Sequence, residues 1–193
     1  MKQTLAATRS LGRAGLRLAL AERYDPVEGR PPAFWSRWSA STSLLPDYVT
    51  YPDDFAAGVM ELILTARPAV VIPSSDQSIA CLRPWRSQIE RHTHLALASE
   101  PALAVAVDKK ATLALAERIG IGVPKMVALD DNDDLCSALE GMTYPAVVKP
   151  RWSWARDSKG DRVISVAVLN YAEAQAAIHD LRRAGVPGLV QEL

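Results

Sequence analysis

Cysteine is scarce in this sequence of 193 residues. The two cysteines, Cys81 and Cys136, are far apart and fit no metal-binding spacing. They therefore predict neither a disulfide framework nor a zinc site. Isolated reduced thiols are typical of a cytoplasmic protein, which is the location that we expect.

An excess of charge of either sign is also lacking. Lysine plus arginine and aspartate plus glutamate both number 22, so no global positive field attracts nucleic acid or a membrane. No apolar run approaches the ~18 residues of a membrane span. Basic residues interrupt the first 21 positions, which leaves no apolar core for a signal peptide. A transit peptide is the weaker alternative there, since a strand-like segment follows directly. We expect neither nucleic acid nor a membrane as a partner.

The content of hydrophobic, core-forming residues is average for a globular protein. The sequence is 49% hydrophobic and 23% charged, which is typical of a globular protein with a substantial core. Its length allows one domain or two small ones.

The first half predicts an α/β domain that opens on a helix. Residues 3–14 predict a helix that Gly15 ends, and residues 16–21 predict a strand. Nucleotide-binding α/β units usually begin with a strand that leads into the first helix. We therefore expect one sheet position to be empty or exposed. Gly12 and Gly15 do not complete the G-x-G-x-x-G fingerprint of a dinucleotide site, which argues against a Rossmann-type oxidoreductase, and helix termination explains both better.

One helix and one strand dominate the rest of this half. Asp53 is predicted to cap a helix that Pro68 ends, with apolar residues at helical spacing. Residues 69–73 are continuously apolar, as in a central strand of a parallel sheet. Asp76 follows this strand and is interpreted as a helix cap rather than a catalytic group.

The segment before that helix lacks a clear periodicity. Residues 24–51 are rich in proline, serine and aromatics, and predict a long connection with little regular structure. Trp35 and Trp38 are expected to cover edges of the core. A further short strand is predicted at 95–99.

Helices and strands alternate more tightly in the second half. Asp108 is predicted to cap a helix that Gly120 closes. The acids at 130–134 favour a helix start, with carboxylates at its positive end, over a metal site. Strands are predicted at 125–129, 146–149, 162–168 and 188–193, and helices at 131–140 and from Asn170 to Gly185. The second and third of these strands have hairpin-like spacing and should pair antiparallel. Asn170 and Glu173 are predicted to form a reciprocal cap at the start of the last helix.

A single lysine ends the short apolar strand at 146–149. Burying Lys149 without compensation is costly, so its charge should meet water or an anion. A polar and basic loop at 152–162 follows before the next strand. Two interpretations stay open, a hairpin that grips phosphate and an edge strand whose lysine protects the edge.

Three motifs of the second half together resemble the ATP-grasp superfamily of carboxylate–amine and carboxylate–thiol ligases. They are DKKATLALAERIGIGVP from residue 108, YPAVVKP from residue 144 and LVQEL from residue 189. Their order and spacing agree with that family, and the first half looks like the α/β domain that precedes its fold. The resemblance implies an α/β protein. A Rossmann-like parallel-sheet pre-ATP-grasp domain would occupy residues 1–105, and a partial ATP-grasp α+β lobe residues 106–193.

The resemblance also implies residues that bind ATP. Lys109 and Lys149 resemble the two lysines that contact the ATP phosphates, a role that suits a mobile point charge. The loop at 152–162 resembles the flexible loop that covers the phosphates. It has only one glycine, so side chains such as Ser153 and Ser158 would contribute more. Gln191 and Glu192 resemble the hinge that meets the adenine edge.

Members of that family continue past this hinge into a second lobe, which supplies ribose contacts, the ligands for Mg²⁺ and most of the substrate pocket. On this comparison the chain looks like the N-terminal part of an ATP-dependent ligase, trimmed at both ends. ATP, Mg²⁺, a small carboxylate and an amine or thiol would be partners of the complete protein, and an acyl phosphate its intermediate. The isolated chain is expected to bind Mg-ATP poorly and to hydrolyse none. The alternative is a non-catalytic ATP-grasp-derived binding or interaction module, and either would be compatible with a homo-oligomer.

Overall fold

The computed structural model describes residues 2–24, 29–130, 132–152 and 165–193. It divides the chain into two units, Met1–Leu97 and Ala98–Leu193. Within the described ranges, no helix combines the length and the apolar character needed to cross a membrane.

The first unit opens on a helix, as predicted. Its helices are α1 (Lys2–Arg13), α2 (Pro52–Ala66), α3 (Asp76–Leu82) and α4 (Arg86–Ile89), and its strands are β1 (Leu18–Arg23), β2 (Ser39–Leu45), β3 (Val70–Val71) and β4 (His94–Leu95). Two 3₁₀ turns, Pro32–Trp35 and Arg83–Trp85, complete the unit.

The strands of the first unit form two separate parallel pairs, β1 with β2 and β3 with β4. The strand predicted at 69–73 is therefore parallel, but the prediction that it is central is wrong. Only two of its residues are strand, and β4 is their one strand neighbour among the described residues. Val70 is 44% exposed and Ile72 is 52% exposed, whereas a central strand of a parallel sheet is buried on both faces.

The prediction of an irregular connection at 24–51 is wrong, because β2 lies within it. The sequence of β2, SASTSLL, is mostly small and polar, and most of its side chains are not buried. Hydrophobic periodicity therefore could not reveal the strand. Its pairing with β1 along six residues establishes it instead.

Two helix caps lie before their predicted positions. Helix α2 begins at Pro52, and Asp53 lies in its first turn rather than at the cap. Helix α3 is capped by Ser75, whose Oγ accepts from the Ser78 amide at 3.2 Å, so Asp76 is its first residue. Both aspartates still lie at the positive end of a helix dipole.

The two glycines of the first helix have different roles. Gly15 has a φ of +83° after the end of α1 and acts as the predicted terminator. Gly12 lies inside α1, where a Cβ would be 2.4 Å from Cγ of Trp38. The absence of a side chain at Gly12 lets the Trp38 ring approach the helix. Trp35, in contrast, is 70% exposed and does not cover the core.

The second unit contains helices α5 (Glu100–Val107), α6 (Lys109–Arg118), α7 (Leu135–Ala138) and α8 (Tyr171–Arg183), and strands β5 (Met126–Leu129), β6 (Ala146–Pro150), β7 (Val166–Val168) and β8 (Gly188–Glu192). Its strands form one antiparallel sheet in the order β5-β8-β6-β7. The predicted pairing of β6 with the following strand is confirmed for the described residues 166–168. The mixed α/β class, parallel in the first unit and antiparallel in the second, is confirmed.

The helix predicted at 131–140 is only four residues long. Asp134 caps it by accepting from the amides of Cys136 and Ser137, and Asp133 accepts from the Asp130 amide at 2.7 Å. These acids thus form a turn and a cap, while Asp131 lies outside the described residues. Helix α5 was not predicted, because its sequence, EPALAVAV, is apolar on all sides and shows no helical period.

Helix α8 covers one face of the antiparallel sheet. Its start is held by Asn170, whose Oδ1 accepts from the Glu173 amide at 3.0 Å, as predicted. The buried core between helix and sheet includes Ala174, Ile178 and Leu181 from α8 and Ala146, Val148, Val168 and Val190 from the strands. Because side chains alternate along a strand, the residues between these positions lie on the opposite face.

The contact between Gly12 and Trp38 gives a test of the first unit. Glycine to alanine inside a helix ordinarily stabilises by about 0.5–1 kcal/mol. We expect Gly12→Ala to destabilise instead, by about 1–3 kcal/mol, because the added methyl group overlaps the indole ring. Urea unfolding followed by NMR signals of β1 would measure this change. In a Trp38→Ala background the same substitution should become neutral or stabilising, and an equal loss in both backgrounds would contradict the proposed contact.

Candidate functional site

The face of the antiparallel sheet that points away from α8 is mostly apolar and carries two polar side chains. We call it the outer face and define it by the alternate residues Met126, Ala128, Val147, Lys149, Leu189 and Gln191. Leu189 is fully buried and the other five are partly exposed. Lys149 and Gln191 are thus the polar groups of an otherwise apolar surface.

These two side chains bind each other. Lys149 lies on β6 and Gln191 lies on the adjacent β8, and Lys149 Nζ donates to Gln191 Oε1 at 2.8 Å. The amide is neutral, and Lys149 makes no ion pair with a carboxylate within the described ranges. The Gln191 amide thus orients the ammonium group, and no carboxylate among the described residues neutralises its charge.

The start of α6 lies against the end of β6. Asp108 and Trp152 form an isolated antiparallel bridge, and the Lys109 amide donates to the Arg151 carbonyl at 3.1 Å. Lys109 Nζ also donates to the Pro150 carbonyl at 2.9 Å. The structure therefore brings Lys109 to the residue that directly follows Lys149.

A carboxylate–guanidinium pair holds this junction. Arg151 Nε donates to both carboxylate oxygens of Asp108 at 3.0 Å, and its Nη2 donates to Oδ2 at 2.6 Å. Asp108 also caps α6, since Oδ1 accepts from the Lys110 amide at 2.9 Å. The Asp108 residue is only 8% exposed, so this carboxylate is used twice in a largely dry environment.

The pair shifts the titration of both partners. Hydrogen bonds from Arg151 lower the pKa of the Asp108 carboxyl, against the opposing effect of burial, and the Ala111 and Lys110 amides lower it further. The same contact raises the pKa of the Arg151 guanidinium. Both groups are therefore held in their charged forms.

The other residues implied by the resemblance lie elsewhere. Glu192 points to the opposite side from Gln191, and its Oε1 accepts from the Thr143 amide at 3.1 Å and lies 3.8 Å from Lys125 Nζ. Hydrogen bonds from Thr143 lower the pKa of the Glu192 carboxyl, with a smaller effect of Lys125. Ser153 and Ser158, with most of the loop at 152–162, lie outside the described residues.

Arg151 belongs to this site and sequence reasoning missed it. It directly follows the VVKP motif, and the guanidinium lies 5.0 Å from the Trp152 ring centroid. The sequence offered only the capping role of Asp108, whereas its burial and its cationic partner are seen in the structure. Pairing residues this far apart in sequence needs the fold.

The described residues around the site offer no metal centre. In the described part of the chain, no group of three or more histidine, cysteine, aspartate or glutamate side chains could hold a metal ion. The carboxylates of Asp133 and Asp134 accept backbone amides in a turn and a cap, and that of Asp108 caps α6 and pairs with Arg151. The described residues therefore do not fit a Mg²⁺ centre.

No protein-family model matches this sequence, and no curated protein does. Solved structures do match. Pyruvate carboxylase of Rhizobium etli aligns with a TM-score of 0.66 at 10% identity, over 99% of this chain and 17% of that one. L-amino acid ligase from Bacillus licheniformis aligns with a TM-score of 0.65 at 14% identity, over 100% of this chain and 44% of that one. N5-carboxyaminoimidazole synthetase from Staphylococcus aureus, complexed with ADP, aligns with a TM-score of 0.63 at 15% identity, over 99% of this chain and 44% of that one.

At these identities the likeness shows the fold. This chain spans less than half the length of each of these three neighbours. The agreement nevertheless extends over almost the whole of this chain, so it concerns both units.

The double use of Asp108 gives a test of the junction. Asp108→Asn keeps a capping oxygen but removes the charge that binds Arg151, and we expect a loss of about 2 kcal/mol in unfolding free energy at pH 7. Asp108→Ala should cost about 1 kcal/mol more, because the cap is lost as well. Urea unfolding followed by NMR signals of β8 would report on the second unit.

The pH dependence has a defined sign. Because the folded-state pKa of Asp108 is lowered, its stabilisation is complete above the unfolded-state value, roughly 4, and is lost as the pH falls through the folded value. The difference between the wild type and Asp108→Asn should therefore be constant above about pH 5 and shrink below about pH 4. Asp134→Asn is the matched control, since Asp134 caps α7 through backbone amides. An equal loss in both variants would contradict the role assigned to Arg151.

Proposed function

We propose that this chain, whose fold is that of the ATP-grasp superfamily, supplies a phosphate-binding part of an ATP-dependent ligase. The evidence for this function lies in the second unit. It consists of the two lysines and the apolar surface beside them.

The observation that carries the proposal is the charge of Lys149 on the outer face. Its ammonium group donates to the neutral amide of Gln191. A partly buried cation beside an apolar surface is suited to a ligand with an anionic end and an apolar planar end, and a nucleotide has both. Lysine is a common phosphate ligand because it acts as a mobile point charge.

Lys109 supports the same assignment from a second element. Its Nζ lies at the Pro150 carbonyl, one residue along β6 from Lys149. The Asp108–Arg151 pair holds the start of α6 in place, so the position of Lys109 does not depend on a flexible loop. Two lysines from different elements at one strand end offer a pair of charges to a polyphosphate.

The neighbours suggest the class of reaction. They include an amino acid ligase and a synthetase complexed with ADP. In a reaction of this class a carboxylate oxygen attacks the γ-phosphorus of ATP and ADP leaves, which gives an acyl phosphate. An amine or thiol then attacks the acyl carbon, and phosphate leaves as the new bond forms. Lys109 and Lys149 would bind the phosphates during the first step.

A second candidate is a module that binds nucleotide without transferring phosphate. The observation that favours it is the lack, among the described residues, of an acidic cluster able to hold a metal ion. A biotin carboxylase domain in complex with MgADP is among the neighbours, so the metal accompanies the nucleotide in that protein. Binding and transfer are therefore tested separately.

The binding test uses two lysines of the site and one beside it. We expect Lys109→Met and Lys149→Met each to weaken ADP binding about tenfold, as for loss of one charge-assisted contact. Lys110→Met is the matched control, because Lys110 is exposed on α6 next to Lys109, and should change the affinity less than about twofold. NMR titration of the chain with ADP would measure even a millimolar dissociation constant, and thermal unfolding would check that each variant folds.

Equal losses in all three variants would show a nonspecific effect of charge and contradict the proposal. Shifts confined to signals outside the outer face would place the nucleotide elsewhere. Carboxylate-dependent release of ADP from ATP by the chain would favour the ligase over the binding module.

A further inference from the structure

A cavity of about 200 Å³ lies within the first unit. One wall is formed by residues 19–23 of β1, and another by residues 70–74, which comprise β3 and the residues that follow it. The third wall is one face of α2, with Phe55, Val59 and Ile63. We call this cavity the slot.

The two strand walls of the slot are edges rather than faces. A sheet face presents every second residue of a strand to a cavity. Here the lining includes five consecutive residues of β1, 19–23, and five consecutive residues that begin with β3, 70–74. The slot therefore runs along the sides of two strands, where backbone N–H and C=O groups point.

The hydrogen bonds of the two parallel pairs identify those groups. The Tyr24 amide donates to the Leu45 carbonyl of β2. Backbone groups alternate in direction along a strand, so every second residue of β1 directs its N–H and C=O toward β2. The residues between them, Ala19, Ala21 and Arg23, direct their backbone groups to the opposite edge. On β3, the carbonyls of residues 69 and 71 accept from β4 and the residue after it. By the same alternation the backbone groups of Val70 point away from β4, toward the slot.

One buried side chain in the slot also lacks a partner. Glu22 is 4% exposed, lines the slot, and has a buried Oε1 with no hydrogen-bond partner in the described structure. A buried polar atom without a partner is costly, so such atoms point to a missing donor. Two backbone edges and the Glu22 residue, whose Oε1 lacks a partner, therefore line the same space.

We propose that the slot accepts a β-strand from a partner polypeptide. An extended peptide has a row of N–H and C=O groups on each side, which complements the two edges, and alternate side chains that fit the apolar face of α2. A hydroxyl or basic side chain on that peptide would donate to Glu22 Oε1. The inserted strand would join β1 and β3 and so unite the two parallel pairs in one sheet.

A small molecule would match this arrangement less well, because the groups to be satisfied are spread along two strands. A second copy of the chain fits less well too. Every strand in the described ranges is already paired within the chain, so a second copy would have to break a pair to donate one. The proposal concerns the first unit and does not depend on the nucleotide site.

The probe is a short fluorescein-labelled peptide of alternating valine and threonine with a lysine at each end. Saturable binding is expected by fluorescence anisotropy. The same peptide with proline at alternate positions should not bind, because proline cannot donate to an edge. Moving a threonine along the peptide, with valine elsewhere, should give one position that is preferred about tenfold, where the hydroxyl meets Glu22. Glu22→Leu should abolish that preference.

Two matched proline variants test the edge itself. Ala21→Pro removes an N–H that faces the slot, whereas Thr42→Pro removes one from the outer edge of β2. Both positions are exposed and lie on neighbouring strands. We expect Ala21→Pro to weaken binding about tenfold and Thr42→Pro to change it less than about twofold.

Hydrogen exchange in the wild type provides a readout that does not need a variant to fold. The peptide should slow exchange at the Val70 amide, while the Ala96 amide, which already donates to Val71, should not change. Absence of saturable binding, or equal effects of both proline variants, would overturn the proposal. A concentration-dependent dimer that the peptide dissociates would also overturn it, since the slot would then be occupied by a second copy.

Discussion

A single carboxylate determines how the candidate site of the second unit is assembled. Asp108 accepts backbone donors at the start of α6 and guanidinium donors from the residue after β6, so one side chain joins a helix to a strand. Lys109 is the next residue in the chain, and its position follows from that junction. The two lysines are neighbours because an aspartate outside the proposed ligand contacts holds their elements together. The site is therefore sensitive to a residue that need not touch a nucleotide.

The sequence predicted best those features that depend on a few adjacent residues. The cap at Asp108, the reciprocal cap between Asn170 and Glu173, and the short strand that carries Lys149 all follow from local chemistry. Lys109 and Lys149 became candidate phosphate ligands because three short motifs resemble those of the ATP-grasp superfamily. The resemblance implied that both lysines contact the ATP phosphates, which their spacing in the sequence alone does not predict.

What the sequence could not predict depends on contacts between distant residues. β2 has too few apolar side chains to show a period, and it is a strand because β1 pairs with it. α5 is apolar on all sides, so no face distinguishes it. Arg151 follows a proline in a polar segment, and only the fold shows that it meets Asp108. Among the described residues β3 pairs with β4 alone, and the apolar character of residues 69–73 does not reveal that the strand has one neighbour instead of two.

The position of β8 has a consequence for the order in which the second unit forms. β8 follows the other three strands of this sheet in sequence but lies between β5 and β6, and these two strands do not pair with each other. Neither β5 nor the β6–β7 pair can join a larger sheet until residues 188–192 have been synthesised. Most pairings in this sheet are thus distant in sequence, which is associated with slow folding. During translation β5 would leave the ribosome without a partner, and the sheet could form only after residues 188–192 had followed it, so a chaperone that shields strand edges would be of most use before then.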